Sequence, residues 1–147
     1  MTAPVALDAS AVLAFLGREE GWEYVDPLLD GGLVSAVNLG EVLCKAAQDG
    51  SDPTGTAEDL IGYGLRVVPF TAAHAARLPA LREADRLARN GDRPVRRKAG
   101  RRSLSLADLC CLALAWESGA AAVTGDRHWL GLDLPVTVVD YRDPPRG

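Results

Sequence analysis

Four acidic residues stand where the chain is predicted to pass from a strand into a helix or turn. They are Asp8, Glu41, Asp108 and Asp126. In an open parallel α/β sheet, strand ends of one polarity share an edge, and ligands bind outside the carboxyl ends of the strands. The sequence therefore predicts that four carboxylates from distant parts of the chain meet at one mouth and hold a metal ion.

Each acid also has an ordinary structural explanation. Asp8 could cap the helix that begins at Ala9, and Asp126 could be a turn residue. Two further pairs have the spacing of a capping box, Asn38 with Glu41 and Ser105 with Asp108. A cap contributes about 1 kcal/mol and needs no metal. Taken one at a time, capping or turn formation is the simpler interpretation of every acid.

Taken together, the four acids are harder to explain as caps, because all of them lie at the same predicted edge. Carboxylates about 6 Å apart repel by about 3 kcal/mol per pair at an effective dielectric constant of about 20. A helix N-terminus offsets only about 0.3–1 kcal/mol of this. The repulsion therefore favours a bound cation or protonation. Oxygen ligands without a nearby Cys or His select Mg²⁺, or alternatively Mn²⁺, over zinc.

The elements that must position these acids alternate between strands and helices. Strands are predicted at residues 5–7, 33–36, 66–69, 121–124 and 136–139. Helices are predicted at residues 9–16, from Asp26-Pro27 onward, and at 38–48, 56–63, 71–89 (with a kink or break at Pro79) and 105–117, with a loop at 90–102. This alternation predicts an α/β fold in a single domain over residues 1–147, with a central parallel-rich sheet of about five strands flanked by helices.

Composition and charge limit the function classes. The 147 residues are 48% hydrophobic and 24% charged, as in soluble globular proteins. Three cysteines without framework spacing, and no secretory signal, predict a cytoplasmic protein without membrane association. The net charge of −4 disfavours nucleic-acid binding. However, a basic run without acids, either a solvated loop or a phosphate-binding surface, comprises Arg93, Arg96, Arg97, Lys98, Arg101 and Arg102.

Four motifs, in order, resemble those of the PIN-domain nucleases. They are Asp8-Ala9-Ser10-Ala11-Val12-Leu13, Asn38-Leu39-Gly40-Glu41-Val42-Leu43, Leu104-Ser105-Leu106-Ala107-Asp108 and Thr124-Gly125-Asp126-Arg127-His128-Trp129. Over about residues 4–140, size and motif order most resemble the VapC-type toxins of prokaryotic toxin–antitoxin pairs. Two features depart from the family: Trp129 stands where phenylalanine is more usual, and the basic run is longer and more basic than expected.

The resemblance implies an Mg²⁺-dependent endoribonuclease toxin that hydrolyses RNA phosphodiester bonds by metal-activated water and is inhibited by a cognate VapB-type antitoxin. It implies catalytic and metal-binding roles for Asp8, Glu41, Asp108 and Asp126. Ser10 and Thr124 match positions beside the site, where a supporting role competes with capping and strand packing. RNA contacts are expected from Arg93, Arg96, Arg97, Lys98, Arg101, Arg102 and Arg127. A homodimer is expected.

Several aromatic residues and histidines have two interpretations. Trp22 and Tyr24 either pack between helices or line an apolar groove for an antitoxin tail. His128 either faces substrate or is polar surface, and His74 is expected to be structural.

Other functions stay open. A receiver-like module would bind Mg²⁺ and accept a phosphoryl group, but it needs a late lysine, and the only lysines are Lys45 and Lys98. A catalytically inactive PIN-like binding protein is a further alternative. A phosphatase of the haloacid-dehalogenase type is disfavoured, because it needs an aspartate where Ser10 stands.

Overall fold

A computed structural model describes residues 3–91 and 103–146. In these ranges five parallel strands form one sheet: β1 (Val5–Leu7), β2 (Leu33–Ser35), β3 (Arg66–Val68), β4 (Ala121–Thr124) and β5 (Val138–Asp140). The flanking helices are α1 (Ala9–Gly17), α2 (Trp22–Val25), α3 (Ala36–Gln48), α4 (Pro53–Gly62), α5 (Ala72–Gly91) and α6 (Leu106–Ser118). The predicted α/β class with a five-stranded parallel sheet is confirmed, whereas the domain extent of 1–147 stays a prediction.

The order of the strands creates a switch point in the middle of the sheet. The order is β3-β2-β1-β4-β5, so the chain first builds outward on one side of β1 and then on the other. Leu7 of β1 is in register with Val123 of β4. In open α/β sheets, ligands bind outside the carboxyl ends of the strands at such a point. Asp8 and Asp126 follow the two strands that flank it.

Helix α6 is the most completely buried helix of the described structure. Residues 109–115 are all buried, packed between α5 and the sheet. A helix that is apolar on every side is buried on every side, which explains why its sequence lacks an amphipathic stripe. Each buried leucine contributes about 1.5–3 kcal/mol by leaving water. Asp108, in the first turn of α6, is therefore carried by a firmly held element.

Two predicted helix starts are wrong because a residue earlier in the chain caps each helix. Helix α3 begins at Ala36, since the side chain of Ser35 accepts a hydrogen bond from the backbone N–H of Val37 at 3.2 Å. Asn38 is consequently inside the helix and is not its cap. Helix α4 begins at Pro53, several residues earlier than predicted, with Asp52 as its cap.

The predicted break at Pro79 is absent, because α5 continues through it to Gly91. Pro79 is exposed, so solvent can hydrate the carbonyl that loses its partner. Leu78 and Leu81 on either side pack into the core against α6 residues, and this burial holds the helix together. Residues 90 and 91, which the sequence placed in the predicted loop, therefore belong to α5. Residues 92–102 of that predicted loop lie outside the described ranges.

Smaller differences concern strand ends and the second helix. The helix predicted from Asp26 is a single 3₁₀ turn at Asp26–Leu28, and the α-helix is α2 before it. The strand predicted at 33–36 ends at Ser35, the strand predicted at 66–69 ends at Val68, and the last strand is two residues later at its start and one at its end than predicted. Nowhere in the described ranges is there a helix both long and apolar enough to cross a membrane.

Candidate functional site

The four predicted acids line one pocket at the carboxyl edge of the sheet. Asp8 follows β1, Glu41 lies on α3, Asp108 lies on α6, and Asp126 begins the 3₁₀ turn Arg127–Gly131 that follows β4. The pocket has a volume of about 360 Å³ and is also lined by Ala9, Ser10, Leu13, Lys45 and Gly125. Side chains from four separate elements are thus brought to one place.

Asp8 is the buried member of this set, with only 6% of its surface exposed. Its Oδ2 accepts hydrogen bonds of 2.8 Å from the hydroxyls of both Ser10 and Thr124. Its backbone N–H donates to the carbonyl of Val123 on β4 at 2.9 Å. The carboxylate is therefore fixed in position, and the two hydroxyls predicted to lie beside the site both contact it.

The environment of Asp8 disfavours its charge. The pKa of the carboxyl is raised from 3.8 to about 6, mainly by burial and to a smaller extent by the carboxylates of Asp108 and Glu41. The hydroxyl hydrogen bonds from Ser10 and Thr124 lower the pKa and oppose these effects only in part. At neutral pH the pocket therefore holds an ionised carboxylate that a nearby cation would stabilise.

Hydrogen bonds lock the turn after β4 against α1. The hydroxyl of Ser10 accepts from the backbone N–H of Gly125 at 3.0 Å, and that of Thr124 accepts from the N–H of Asp126 at 3.0 Å. A Cβ atom at Gly125 would lie 2.6 Å from the hydroxyl oxygen of Tyr141. Glycine is thus required where the turn passes this ring, and the turn in return fixes Asp126.

Asn38 orients Glu41 and connects α3 to α6. Its fully buried amide nitrogen donates at 3.0 Å to Glu41 Oε1 and at 3.0 Å to the carbonyl of Ala107. Its Oδ1 is buried and has no hydrogen-bond partner in the described residues. The sequence indicated a pairing of Asn38 with Glu41, but as a helix cap and not as a contact inside the helix.

Asp108 and Ser105 form the capping box at the start of α6. Asp108 Oδ2 accepts from the backbone N–H of Ser105 at 2.9 Å, and the Ser105 hydroxyl accepts from the N–H of Asp108 at 3.0 Å. The structural explanation of Asp108 is therefore correct, and it coexists with the position of Asp108 on the pocket wall. Capping holds the carboxylate in place at the pocket.

The residues of the pocket fit a hydrated Mg²⁺ better than a closed metal cage. Among residues 3–91 and 103–146, no three His, Cys, Asp or Glu side chains lie close enough together to hold one metal ion. Mg²⁺ takes only one or two carboxylates directly and keeps several waters. An all-oxygen donor set around Asp8, whose pKa is raised by burial and then by its acidic neighbours, suits such an ion.

Lys45 is a pocket residue that the sequence analysis missed. It lies one helical turn after Glu41 on α3, lines the pocket, and is half-exposed. Its Nζ lies 3.4 Å from Asp49 Oδ1. The sequence could have predicted this position, because Lys45 follows Glu41 by four residues and residues four apart on a helix share a face.

The predicted RNA-binding residues fall into two groups. Arg127 follows Asp126 and is largely exposed, with its Nε 3.4 Å from Asp140 Oδ2. Six others lie outside the described residues: Arg93, Arg96, Arg97, Lys98, Arg101 and Arg102.

The structure defines the surroundings of the two histidines and of Trp22 and Tyr24. His128 Nε2 lies 3.0 Å from Asp85 Oδ1, a contact that the sequence did not predict, and a role facing substrate stays a prediction. His74 is buried and its Nδ1 accepts from the N–H of Thr71 at 3.3 Å, which is a structural position. Trp22 and Tyr24 are partly buried and pack against the core.

Comparison with known proteins identifies a matching family and several solved structures with a similar fold. A family model for the PIN domain matches residues 5–133. No curated protein matches the sequence.

Three solved structures illustrate the likeness of fold. The VapBC complex of Salmonella typhimurium bound to DNA has a TM-score of 0.64 and 18% identity, covering 96% of this chain and 99% of that chain. A toxin–antitoxin complex from Klebsiella pneumoniae has a TM-score of 0.67 and 17% identity, covering 95% and 98%. The VapC20 toxin of Mycobacterium tuberculosis, described as cleaving the sarcin–ricin loop, has a TM-score of 0.58 and 15% identity, covering 98% and 100%.

Proposed function

The chain belongs to the PIN domain family, and from that premise we propose that it is an Mg²⁺-dependent endoribonuclease, the toxin of a toxin–antitoxin pair. The observation that carries the proposal is the pocket lined by Asp8, Glu41, Asp108 and Asp126 at the switch point of the sheet. A carboxylate whose pKa is raised by burial and then by its acidic neighbours is typical of a functional site.

In this proposal the pocket lined by the four acids binds a hydrated Mg²⁺, or Mn²⁺ in its place, with one or two carboxylates bound directly and the others reaching it through water. A divalent ion bound there supplies polarisation of a phosphoryl oxygen and a water that is nucleophilic at neutral pH. The chain's own contribution is orientation, because each carboxylate is held by a donor: Ser10 and Thr124 for Asp8, Asn38 for Glu41, the Ser105 N–H for Asp108 and the His128 N–H for Asp126. The expected products carry a 5′-phosphate and a 3′-hydroxyl.

Metal-dependent cleavage is the central test. Purified protein, freed of any partner, should cleave single-stranded RNA with Mg²⁺ or Mn²⁺ and stop when a chelator is added. Asp8→Asn and Asp108→Asn should each lower the cleavage rate by at least about 100-fold, because each removes a carboxylate proposed to bind the ion. Asp133→Asn, which changes an exposed aspartate outside the pocket lining, is the matched control and should cleave normally. Cleavage that persists in chelator would remove the proposal.

The RNA backbone is proposed to be held by basic groups beside the acids. The basic run from Arg93 to Arg102 leads into α6, which carries Asp108. Lys45 lines the acid pocket and Arg127 adjoins it. Phosphate contacts of this kind give affinity without reading sequence, so we propose no particular RNA target.

An antitoxin partner is proposed from the likeness to solved toxin–antitoxin complexes. A second pocket, of about 600 Å³, shares Ser10, Leu13 and Lys45 with the acid pocket and is also lined by Leu16 and Tyr141. We propose that a segment of the VapB-type antitoxin lies there, and that the toxin is a homodimer. Coexpression with the product of a short neighbouring reading frame should give a stable complex without RNA cleavage; failure to associate would contradict this part.

One observation favours a second candidate, a catalytically inactive PIN-like binding protein. In the described ranges no three potential ligands lie at metal-holding distances. Calorimetric titration separates the candidates, because the inactive protein would release no heat on addition of Mn²⁺. The receiver-like alternative is not proposed, since the chain is a PIN domain.

A further inference from the structure

A buried carboxylate outside the pocket joins two of the segments that carry its acids. Asp85 on α5 is fully buried. Its Oδ2 accepts a hydrogen bond from the backbone N–H of Leu104 at 2.9 Å, and its Oδ1 lies 3.0 Å from Nε2 of His128. A buried charge is costly unless it is paired and hydrogen-bonded. Asp85 therefore favours one arrangement of the three segments that meet there.

Each segment held by this carboxylate leads to a pocket acid within a few residues. Leu104 precedes Ser105, whose N–H donates to Asp108 Oδ2 at 2.9 Å. The backbone N–H of His128 donates to Asp126 Oδ1 at 3.0 Å. A continuous path of covalent and hydrogen bonds thus runs from Asp126 to Asp108 through residues that do not line the pocket.

The start of α6 is fixed by a second contact from α5. Arg82 Nη1 donates to the carbonyl of Leu104 at 2.6 Å. Both backbone polar groups of Leu104 are therefore bound by side chains of one helix, and its own side chain is buried. Asp108, four residues later, inherits this fixed position.

From this geometry we infer that Asp85 and His128 are positioning residues for the metal site. They hold Asp108 and Asp126 at a set separation and so determine the affinity of the pocket for a divalent ion. The inference rests on the proposed function. Groups that orient the ligands of a metal typically change its affinity or activity by about 10–100-fold when they are substituted.

The test is Mn²⁺ binding to the metal-free full-length protein, followed by electron paramagnetic resonance. Asp85→Asn and His128→Ala should weaken Mn²⁺ binding by about 10-fold or more. His128→Gln keeps an amide N–H donor close to the position of Nε2 and should restore most of the affinity. Added Mn²⁺ should recover the kcat of both weakened variants, while the KM for RNA at saturating Mn²⁺ stays as in the wild type.

A matched control separates positioning from general stability. Glu117→Gln alters an exposed pair that also joins α5 and α6, in which Arg77 Nε lies 3.0 Å from Glu117 Oε2. This variant should bind Mn²⁺ like the wild type. Thermal unfolding is recorded for all variants. If Asp85→Asn does not fold, the two His128 variants decide, because that side chain is partly exposed and tolerates change better.

Two results have different meanings. The inference would be overturned if His128→Ala and Asp85→Asn both bound Mn²⁺ with wild-type affinity, even if their melting temperatures fell. If Asp85→Asn does not fold, wild-type affinity in His128→Ala alone would overturn it. Absence of Mn²⁺ binding by the wild type itself would overturn the proposed function together with the inference.

Discussion

Asp8 shows how a buried carboxylate of the acid pocket lowers the stability of the fold when it ionises. Its carboxylate is buried, and its pKa is raised to about 6, mainly by that burial and then by Asp108 and Glu41. The folded protein therefore binds this proton more tightly than the unfolded chain does. Stability linked to the proton is complete below pH 3.8 and is lost as the pH rises through about 6.

Asp8→Asn should therefore stabilise the metal-free protein at neutral pH. The shift from 3.8 to about 6 corresponds to about 3 kcal/mol, so the free energy of unfolding at pH 7 should rise by up to that amount. Urea unfolding in chelator at pH 4 and pH 7 measures it. The wild type should lose stability between these pH values more steeply than the variant, and Mg²⁺ should stabilise only the wild type. Identical pH dependence in the two proteins would contradict this account.

For individual residues, the sequence predicted the pocket acids better than the residues that hold them in place. Asp8, Glu41, Asp108 and Asp126 could be predicted to meet because each stands at a strand or helix end, and the structure does bring them to one pocket; their roles stay a prediction. Asp85 and His128 are 43 residues apart, and no local pattern links them. Asn38 was misassigned because Ser35 is an equally good cap three residues earlier.

Among the elements, the first turn of α6 connects folding to the site most directly. Ser105→Ala removes the hydroxyl that accepts from the Asp108 N–H and should cost about 1 kcal/mol. The melting temperature should fall by about 2–4 °C, and Mn²⁺ binding should weaken, because Asp108 loses part of its support. Calorimetry and Mn²⁺ titration measure the two effects.

Asp52→Ala is the matched control for that change. Asp52 caps α4 by accepting from the Gly55 N–H at 3.1 Å, and it does not line the acid pocket. Its loss should lower the melting temperature by a similar amount and leave Mn²⁺ affinity intact. Equal loss of Mn²⁺ affinity in both variants would mean that stability alone controls the site.

The alternation of patterns in the sequence was enough to predict which segments are strands and which are helices. It was not enough to predict the residues at which they begin and end. Proline normally ends or bends a helix, yet α5 passes Pro79, because packing of Leu78 and Leu81 against α6 outweighs one lost hydrogen bond. Burial of this kind depends on contacts between helices distant in sequence. A local reading of the chain therefore places the break wrongly.

For the whole molecule, opposite charges are concentrated in different stretches of the sequence. The net charge is −4, although the run from Arg93 to Arg102 contains six basic residues and no acid. Four of the acids line one pocket. Electrostatic binding of nucleic acid is governed by such local groups more than by the net value, so the net charge of −4 does not argue against the proposed binding of RNA.

Replacing Arg97 and Arg101 together by Gln should weaken binding of single-stranded RNA and make it less sensitive to salt. Each phosphate contact removed should lower the slope of log affinity against log salt by about 0.7. Filter binding in the Asp8→Asn background, which we expect not to cleave RNA, gives this slope when the salt concentration is varied from about 50 to about 200 mM. Arg66→Gln on β3, whose side chain lines a pocket at the opposite edge of the sheet, is the control. An unchanged slope in the double variant would exclude the basic run as an RNA contact.

The central position of β1 in the sheet also determines when the acid pocket can form during synthesis of the chain. The hydroxyl of Thr124 that binds Asp8 lies 116 residues further along the chain, and β1 pairs with β4 at the middle of the sheet. A nascent chain still lacking β4 has neither Asp126 nor one of the two strands that pair with β1. If the protein cleaves RNA as proposed, this order of assembly would leave the growing polypeptide without a complete acid pocket until β4 and the turn after it have been synthesised.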